Sequence, residues 1–333
     1  WQYLPDVSRD QCPGRKGRAR AEKGAYLCRM GDMKALAWFL GLIAAGLAAI
    51  ALLAYPAWLL VTPALDVPFH RVANRIGMLA LLVGFVLVAR RLGLADRGSL
   101  GYALPRPAFV AETGIGIVLG IVTMLPVIAL LFALGLREPK DLVPGTSFSV
   151  IALAGLGSGL VVAFIEETFL RGAMYTGIAR QSGTRAAILA TALIYSATHF
   201  IGRFRIPAAE VDAGSGLTLL GGALRSFAHP LGIADAFLCL AGVGILLGMV
   251  RRYTGNIAAC IGLHAGWVCV IAVVREVSAR RTGHPWDSLV SGYDGVIGWL
   301  VLAWIPVIGW ALVRFYARRE RGRSTGVVAT QGN

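Results

Sequence analysis

This chain contains few charged residues for its length. Of its 333 residues, 15% are Asp, Glu, Lys or Arg, whereas 56% are hydrophobic. A water-soluble domain of this size would carry more charge. The sequence also lacks a fixed-period repeat and a polar stretch long enough for a second, soluble domain. These absences argue against a repeat protein and against an ordinary soluble enzyme.

Cysteine and histidine spacings typical of metal or disulfide scaffolds are also missing. The five cysteines form no Cys-Xaa-Xaa-Cys pair, so neither a disulfide framework nor a cysteine-based metal cluster is indicated. The zinc-protease spacing His-Glu-Xaa-Xaa-His is absent as well. Three of the cysteines fall in apolar runs and are interpreted as small core residues. The cysteines are Cys12, Cys28, Cys239, Cys260 and Cys269.

What the sequence does contain is a series of uncharged runs close to membrane-spanning length. Their number and spacing predict an all-α, polytopic membrane helix bundle with about eight transmembrane helices. The fifth and sixth runs are short, so tilted or partly re-entrant helices are expected there. The predicted spans are roughly 35–61, 73–89, 110–136, 148–173, 186–201, 232–250, 255–274 and 295–313.

Basic residues predict the orientation of these spans. With a cytoplasmic N-terminus, 21 of the 32 Lys and Arg residues fall in inner segments, which predicts both termini in the cytoplasm. The net charge of +14 is then explained by topology and by attraction to anionic lipid head groups. A nucleic-acid partner would need a folded, basic, aromatic-bearing surface, which the sequence does not indicate. We therefore expect an integral protein, in a bacterial inner membrane, with lipid and peptide partners.

Composition divides the chain into four parts. Residues 1–34 are polar and basic, and we expect a disordered cytoplasmic tail. Residues 35–147 hold the N-terminal transmembrane helices, and residues 148–275 hold most of the unusual intramembrane polar side chains. Residues 276–333 contain the last transmembrane helix and a basic tail. The connection 202–231 includes the apolar piece LTLLGGAL, which we expect to lie on or dip into the membrane.

Ionisable side chains inside these spans are candidates for function, because each charged group costs about 2.5–3.5 kcal/mol at the centre of a membrane helix. In VVAFIEETFLRGAMY, helical spacing places Glu167 and Arg171 one turn apart, so that they can pair. Glu166 points about 100° away and has no local partner, and an unpaired carboxyl group in an apolar setting tends to hold its proton. The other candidates are His199 and His264.

These groups are predicted to lie at one depth. Glu166 is 14 residues from Arg180, and the two histidines are 14 and 12 residues from inner-side arginines. At about 1.5 Å per residue, all three lie roughly 18–21 Å from the same boundary. A hydrogen-bonded core residue is the plain alternative for each histidine. Tyr195 lies one turn before His199, so its hydroxyl is expected to orient the imidazole.

The motifs EETFLR, YSATH and HAGWV, in this order, resemble those of the CPBP family of intramembrane proteases. That family includes the CAAX prenyl proteases, the lysostaphin-resistance proteins and the Abi-type bacteriocin-immunity proteins. The resemblance covers about residues 148–275. It implies that Glu166 activates water, that Glu167 and Arg171 form a supporting pair, and that His199 and His264 flank the water or stabilise the oxyanion.

One position departs from the family pattern. Val268 stands where the family has Asn or Asp, and we considered Asn256 as a substitute. The resemblance leaves the catalytic type open between a glutamic and a metallo-type endopeptidase. If zinc is used, His199, His264 and Glu166 are its expected ligands; otherwise no cofactor is needed.

Two other functional classes compete with a protease. Intramembrane Glu, Arg and His also build proton-coupled transporters, although the chain shows no inverted repeat or matching broken helices. A catalytically inactive relative, acting as a scaffold or bacteriocin-immunity protein, would be consistent with Val268. A peptide-cleavage assay discriminates these classes from an active protease.

Overall fold

The computed structural model describes residues 34–65, 67–142, 144–201 and 204–330. Except for Lys34, the predicted N-terminal tail, with Cys12 and Cys28, lies outside the described residues. The long helices are α1 (Lys34–Val61), α2 (Phe69–Arg91), α3 (Arg106–Ala133), α4 (Phe148–Glu167), α5 (Tyr175–Ile201), α6 (Ser215–Ala228), α7 (Ala234–Thr254), α8 (Ala258–Val277) and α9 (Trp299–Thr330). A π-helical segment, Thr168–Met174, joins α4 to α5.

The predicted all-α membrane bundle is confirmed. Within the described residues, seven continuous helical stretches are long and apolar enough to cross a membrane. One of them, Phe148–Ile201, is 54 residues long; at about 1.5 Å per residue it would reach far beyond a bilayer core of about 30 Å. Gly183 breaks it, with φ 83° and ψ 164°. The seven stretches, one of them divided into two arms at Gly183, agree with the prediction of about eight transmembrane helices.

Helix α8 is the centre of the bundle and packs closely against α3. Small residues at four-residue spacing on both helices allow this approach. A Cβ atom added to Gly120 of α3 would lie 2.6 Å from the Leu263 carbonyl oxygen, and one added to Gly266 of α8 would lie 2.6 Å from the Ile117 carbonyl oxygen. The two backbones are therefore in direct contact, and no larger side chain fits between them.

Glycines that face a neighbouring backbone also position α4 and α7. Gly159 of α4 faces the backbone of Ala265 on α8, where an added Cβ would lie 2.7 Å from the carbonyl oxygen. Gly244 of α7 faces Ala192 of α5, with an added Cβ 2.7 Å from its Cα. Helix α4 thus lies along one side of α8, and α7 is locked to α5. The candidate residues on α4, the π-helical segment, α5 and α8 are carried by these closely packed helices.

The connections on the side opposite Arg180 and Arg251 form a small cap. Strand β1 (Arg137–Pro139) pairs antiparallel with β2 (Ser278–Arg280), with Arg137 opposite Arg280. The buried Arg137 guanidinium donates to the Ser278 hydroxyl and to backbone carbonyls including that of Gly295. Arg280 forms an ion pair with Asp287 at 2.6 Å.

Helices α1 and α2 form a hairpin at the edge of the bundle. The connection 202–231 does contain a helix, α6, whose Gly216 contacts the backbone of Ala51 on α1. This short helix packs on the hairpin rather than crossing the membrane. The association of the LTLLGGAL piece with the membrane stays a prediction.

The three cysteines of the described residues confirm their interpretation as core residues. Cys239 and Cys260 have no exposed surface and Cys269 is 7% exposed. All three are free thiols. Cys260 donates to the Leu247 carbonyl, which links α8 to α7.

Candidate functional site

The candidate site begins at the end of α4, where Glu167 and Arg171 form a fully buried ion pair. The Arg171 Nη1 atom lies 3.0 Å from Glu167 Oε1, and neither side chain has exposed surface. The second guanidinium nitrogen, Nη2, donates to the Gly244 carbonyl at 3.2 Å. The guanidinium also lies 4.8 Å from the centre of the Tyr195 ring. The predicted pairing is present, and a neighbouring helix fixes it in place.

His264 is the third member of this buried group. Its Nδ1 atom lies 2.9 Å from Glu167 Oε1, and its side chain is 4% exposed. Because the Glu167 carboxylate is paired with Arg171, it accepts a hydrogen bond from Nδ1–H of His264. This contact leaves Nε2 as the free nitrogen of the ring. Glu167 therefore links Arg171 to His264 and fixes the orientation of the imidazole.

Glu166 lies on the other side of this imidazole. Its Oε2 atom is 4.0 Å from His264 Nε2, and its side chain is 31% exposed. Among the described residues, the buried Oε2 atom has no hydrogen-bond partner. Two atoms separated by 4.0 Å can both bond to one water molecule at about 2.8 Å each. The separation of these two polar atoms is therefore one that a single bridging water molecule spans.

His199 lies on α5 and packs against Tyr195, whose ring in turn contacts that of His264. Its ring packs edge-on against the Tyr195 ring with centroids 4.4 Å apart, and the Tyr195 ring contacts that of His264 at 5.9 Å. His199 Nδ1 lies 2.7 Å from the Tyr195 backbone carbonyl, which can only accept a hydrogen bond. The predicted orientation of His199 by the Tyr195 hydroxyl is wrong, because the Tyr195 carbonyl bonds the imidazole instead.

Val268 and Asn256 both have structural roles. Val268 packs against α4, where an added Cβ on Gly159 would lie 3.3 Å from it. Asn256 donates from Nδ2 to the Thr254 carbonyl at 2.7 Å and accepts from the Ala258 N–H at 3.0 Å. Both the amide nitrogen and the amide oxygen of Asn256 are therefore hydrogen-bonded to the backbone at the start of α8. Asn256 therefore does not take over the role of the residue that Val268 replaces.

The histidines have donor chemistry suited to a metal, but the site does not bring a full set of ligands together. Both rings direct Nδ1–H to an oxygen acceptor and keep Nε2 available, which is typical of metal-binding histidines. Over the described residues, however, no three His, Cys, Asp or Glu side chains lie close enough to hold a metal ion. The arrangement of these side chains therefore does not fit a zinc ion.

Sequence reasoning missed two elements of this site. The first is the π-helical segment Thr168–Met174, which directly follows Glu167 and carries Arg171; such segments are frequent at functional sites. The second is the part that α7 plays in the site: the helix itself is predicted, but its Gly244 and Arg251 also contact Arg171. The four-residue spacing of Gly244 and Gly248 is typical of closely packed helices. No sequence pattern indicated the contact to Arg171.

Comparison with protein families points to one enzyme class. Residues 148–270 match the family model described as Rce1-like, type II CAAX prenyl endopeptidase Rce1-like. No curated protein and no solved structure matches the chain significantly. The matched segment contains all five candidate residues, and the family resemblance predicted from their motifs is confirmed.

Proposed function

We propose that this membrane protein, whose residues 148–270 match the Rce1-like type II CAAX prenyl endopeptidase family, hydrolyses a peptide bond with a water activated by Glu166. The observation that carries the proposal is the unpartnered Glu166 Oε2 atom, 4.0 Å from His264 Nε2. The family match supports an intramembrane endopeptidase. The contacts of Glu166 and His264 support the assignment of roles.

In this mechanism a water molecule lies between Glu166 and His264. Glu166 Oε2 accepts one proton as the water oxygen attacks the carbonyl carbon of the substrate. Nε2 of His264 accepts the hydrogen bond from the second O–H of the water, since its own proton is on Nδ1. When the tetrahedral intermediate collapses, protonated Glu166 returns the proton to the leaving amine. The carboxylate is thereby regenerated and the C–N bond is broken.

Glu167 and Arg171 support this step without touching the water. Their ion pair presents a fixed acceptor to His264 Nδ1–H, which holds Nε2 toward Glu166. We assign His199 to the developing oxyanion. Because its Nδ1 proton bonds the Tyr195 carbonyl, His199 can donate to an oxyanion only when Nε2 also carries a proton.

Replacing Glu166 by glutamine tests the proposal. The amide is nearly isosteric but cannot accept the proton, so Glu166→Gln should lower kcat at least about 100-fold and leave the melting temperature unchanged. The assay is cleavage of quenched peptides by detergent-purified protein, with a prenylated CAAX peptide and an unmodified peptide as separate substrates. Wild-type turnover by Glu166→Gln would remove the role assigned to Glu166.

The same assay, repeated with a zinc chelator, distinguishes a glutamic endopeptidase from a metallo-type endopeptidase. We propose the glutamic type, so cleavage should persist after treatment with a zinc chelator. Loss of activity that added zinc restores would contradict the glutamic type.

An inactive relative remains the second candidate, and Val268 is the observation that favours it. Its side chain packs against Gly159 and has no group that can bond to a substrate or to water. If the wild-type protein cleaves neither peptide and Val268→Asn restores cleavage, the chain is a non-catalytic relative with a scaffold or immunity function. A proton-coupled transporter has no comparable support from the described contacts.

We also propose that both termini lie in the cytoplasm of a bacterial cell, with the protein in the inner membrane. The support is the concentration of basic residues at the ends of the helices that share a side with Arg180 and Arg251. Single cysteines placed at residue 325 and in the connection near residue 141 should react with an impermeant reagent from opposite sides. Labelling of residue 325 from outside intact cells would reverse the orientation.

A further inference from the structure

The π-helical segment Thr168–Met174 has a second attachment to α7 that the mechanism above does not use. The N–H group of Tyr175, directly after the segment, donates to the carbonyls of Leu170 and Gly172. In a regular α-helix it would donate to Arg171, four residues earlier. The π geometry thus shifts the usual donor away from the Arg171 carbonyl.

Arg251 of α7 donates to this carbonyl. Its Nε–H donates to the Arg171 oxygen at 3.0 Å, and its side chain is almost completely buried. The Arg251 guanidinium also lies 5.6 Å from the centre of the Tyr175 ring, so it contacts the residue at the start of α5. A buried cation of this kind is costly in a membrane unless its contacts are well formed.

Arg171 is therefore held by α7 at two points. Its side chain donates to the Gly244 carbonyl, and its own carbonyl accepts from Arg251. The two α7 residues are seven apart, about two turns, so they lie on one face of that helix. Because Arg171 sets the position of Glu167, and Glu167 sets the ring of His264, a change at Arg251 is transmitted to the Nε2 atom that faces Glu166.

We propose that Arg251 is a positioning residue for the reaction, one that fixes the π-helical backbone at Arg171 and so keeps His264 aligned with Glu166. The inference rests on the proposed peptidase function. Arg251 contacts the backbone of Arg171 rather than the space between Glu166 and His264. Its removal should therefore affect turnover and not substrate binding.

The experiment compares purified variants in the peptide-cleavage assay, with kcat, KM and melting temperature measured on the folded, monodisperse fraction. Arg251→Met removes the donor but keeps the apolar stem. It should lower kcat about 10- to 100-fold, the range expected for a small misplacement of reacting groups, and change KM less than about threefold. Arg251→Lys, which can still donate to a carbonyl, should recover part of kcat. The matched control is Arg252→Met, at the exposed neighbouring residue, which should match wild type.

Several outcomes would overturn the inference. One such outcome is a folded Arg251→Met variant with the wild-type kcat. Another is a folded Arg251→Met variant in which KM rises and kcat does not fall. If Arg251→Met does not fold, Arg251→Gln takes its place with the same expectation, and failure of both to fold would give Arg251 a purely structural role. An inactive wild-type protein would overturn both this inference and the proposed function, whereas an active wild type with unaffected Arg251 variants would overturn the inference alone.

Discussion

The central helix α8 and the peripheral hairpin α1–α2 are both apolar, but they are packed in different ways. In its most apolar stretch α8 is 72% buried within the protein, whereas α1 is 17% buried. Glycines of the bundle centre, such as Gly120, face the backbone of the neighbouring helix. In the hairpin, Gly77 faces the end of the Ile50 side chain, which can rotate away.

This difference explains where a polar site can be built. Side chains on α8 and α4 start from backbones whose separation is fixed, so His264 and Glu167 meet at 2.9 Å without freedom to drift. A buried ionic group is stable only with such geometry. The hairpin exposes large apolar side chains such as Leu52, Leu60 and Leu87, which suits contact with lipid. The comparison predicts that equivalent changes will have unequal effects in the two regions.

The largest effect is expected from unpairing the buried ions of the centre. Glu167→Gln leaves Arg171 without a counter-charge in a site with no exposed surface, and breaking such a pair costs about 3–5 kcal/mol. We expect a lower melting temperature, a lower yield of folded protein and a lower kcat of the folded fraction, because Glu167 also holds the His264 ring. In the hairpin, the exposed Arg75 supplies the control, and Arg75→Gln should change stability by less than about 0.5 kcal/mol. Normal stability of Glu167→Gln would show that the ion pair does not hold the centre together.

A smaller effect is expected from adding one methyl group at matched glycines. Gly120→Ala places Cβ 2.6 Å from the Leu263 carbonyl oxygen, so α3 and α8 must separate, at a cost of about 1–3 kcal/mol. Gly77→Ala meets only the flexible end of Ile50, at 2.7 Å, and should cost less. Gly114→Ala, on the same helix as Gly120, has no atom within 4 Å of its Cβ and should be neutral or slightly stabilising. Thermal unfolding in detergent ranks the three variants, and equal losses at Gly120 and Gly77 would remove the distinction between the regions.

The smallest effect is expected in the cap outside the membrane. The hydrogen bond from Arg280 lowers the pKa of the Asp287 carboxyl below its usual value of 3.8. A carboxyl whose pKa is lower in the folded state stabilises the fold above its unfolded pKa, and this contribution is lost as the pH falls through the folded pKa. The pair is about a quarter exposed, so Asp287→Asn should cost less than about 1 kcal/mol at pH 7. The difference from wild type should therefore shrink as the pH falls below 3.8 and disappear once the Asp287 carboxyl is protonated in the folded protein. A difference that persists at low pH would mean that the charge of Asp287 is not the cause.

The sequence by itself determined the all-α membrane bundle and the pairing of Glu167 with Arg171. These follow from local rules: the length of the apolar runs and the angle between neighbouring residues on a helix, which pairs Glu167 with Arg171 and leaves Glu166 unpaired. Only the tertiary structure decided that Glu167 also binds His264, that the Tyr195 carbonyl rather than its hydroxyl bonds His199, and that the Asn256 side chain bonds to Thr254 and Ala258. Each of these depends on distances between helices far apart in the chain or on which atom a side chain turns toward. The contact of Arg251 with the π-helical segment also depended on the tertiary structure, because a segment of 7 residues is too short for its apolar spacing to reveal π-helical geometry.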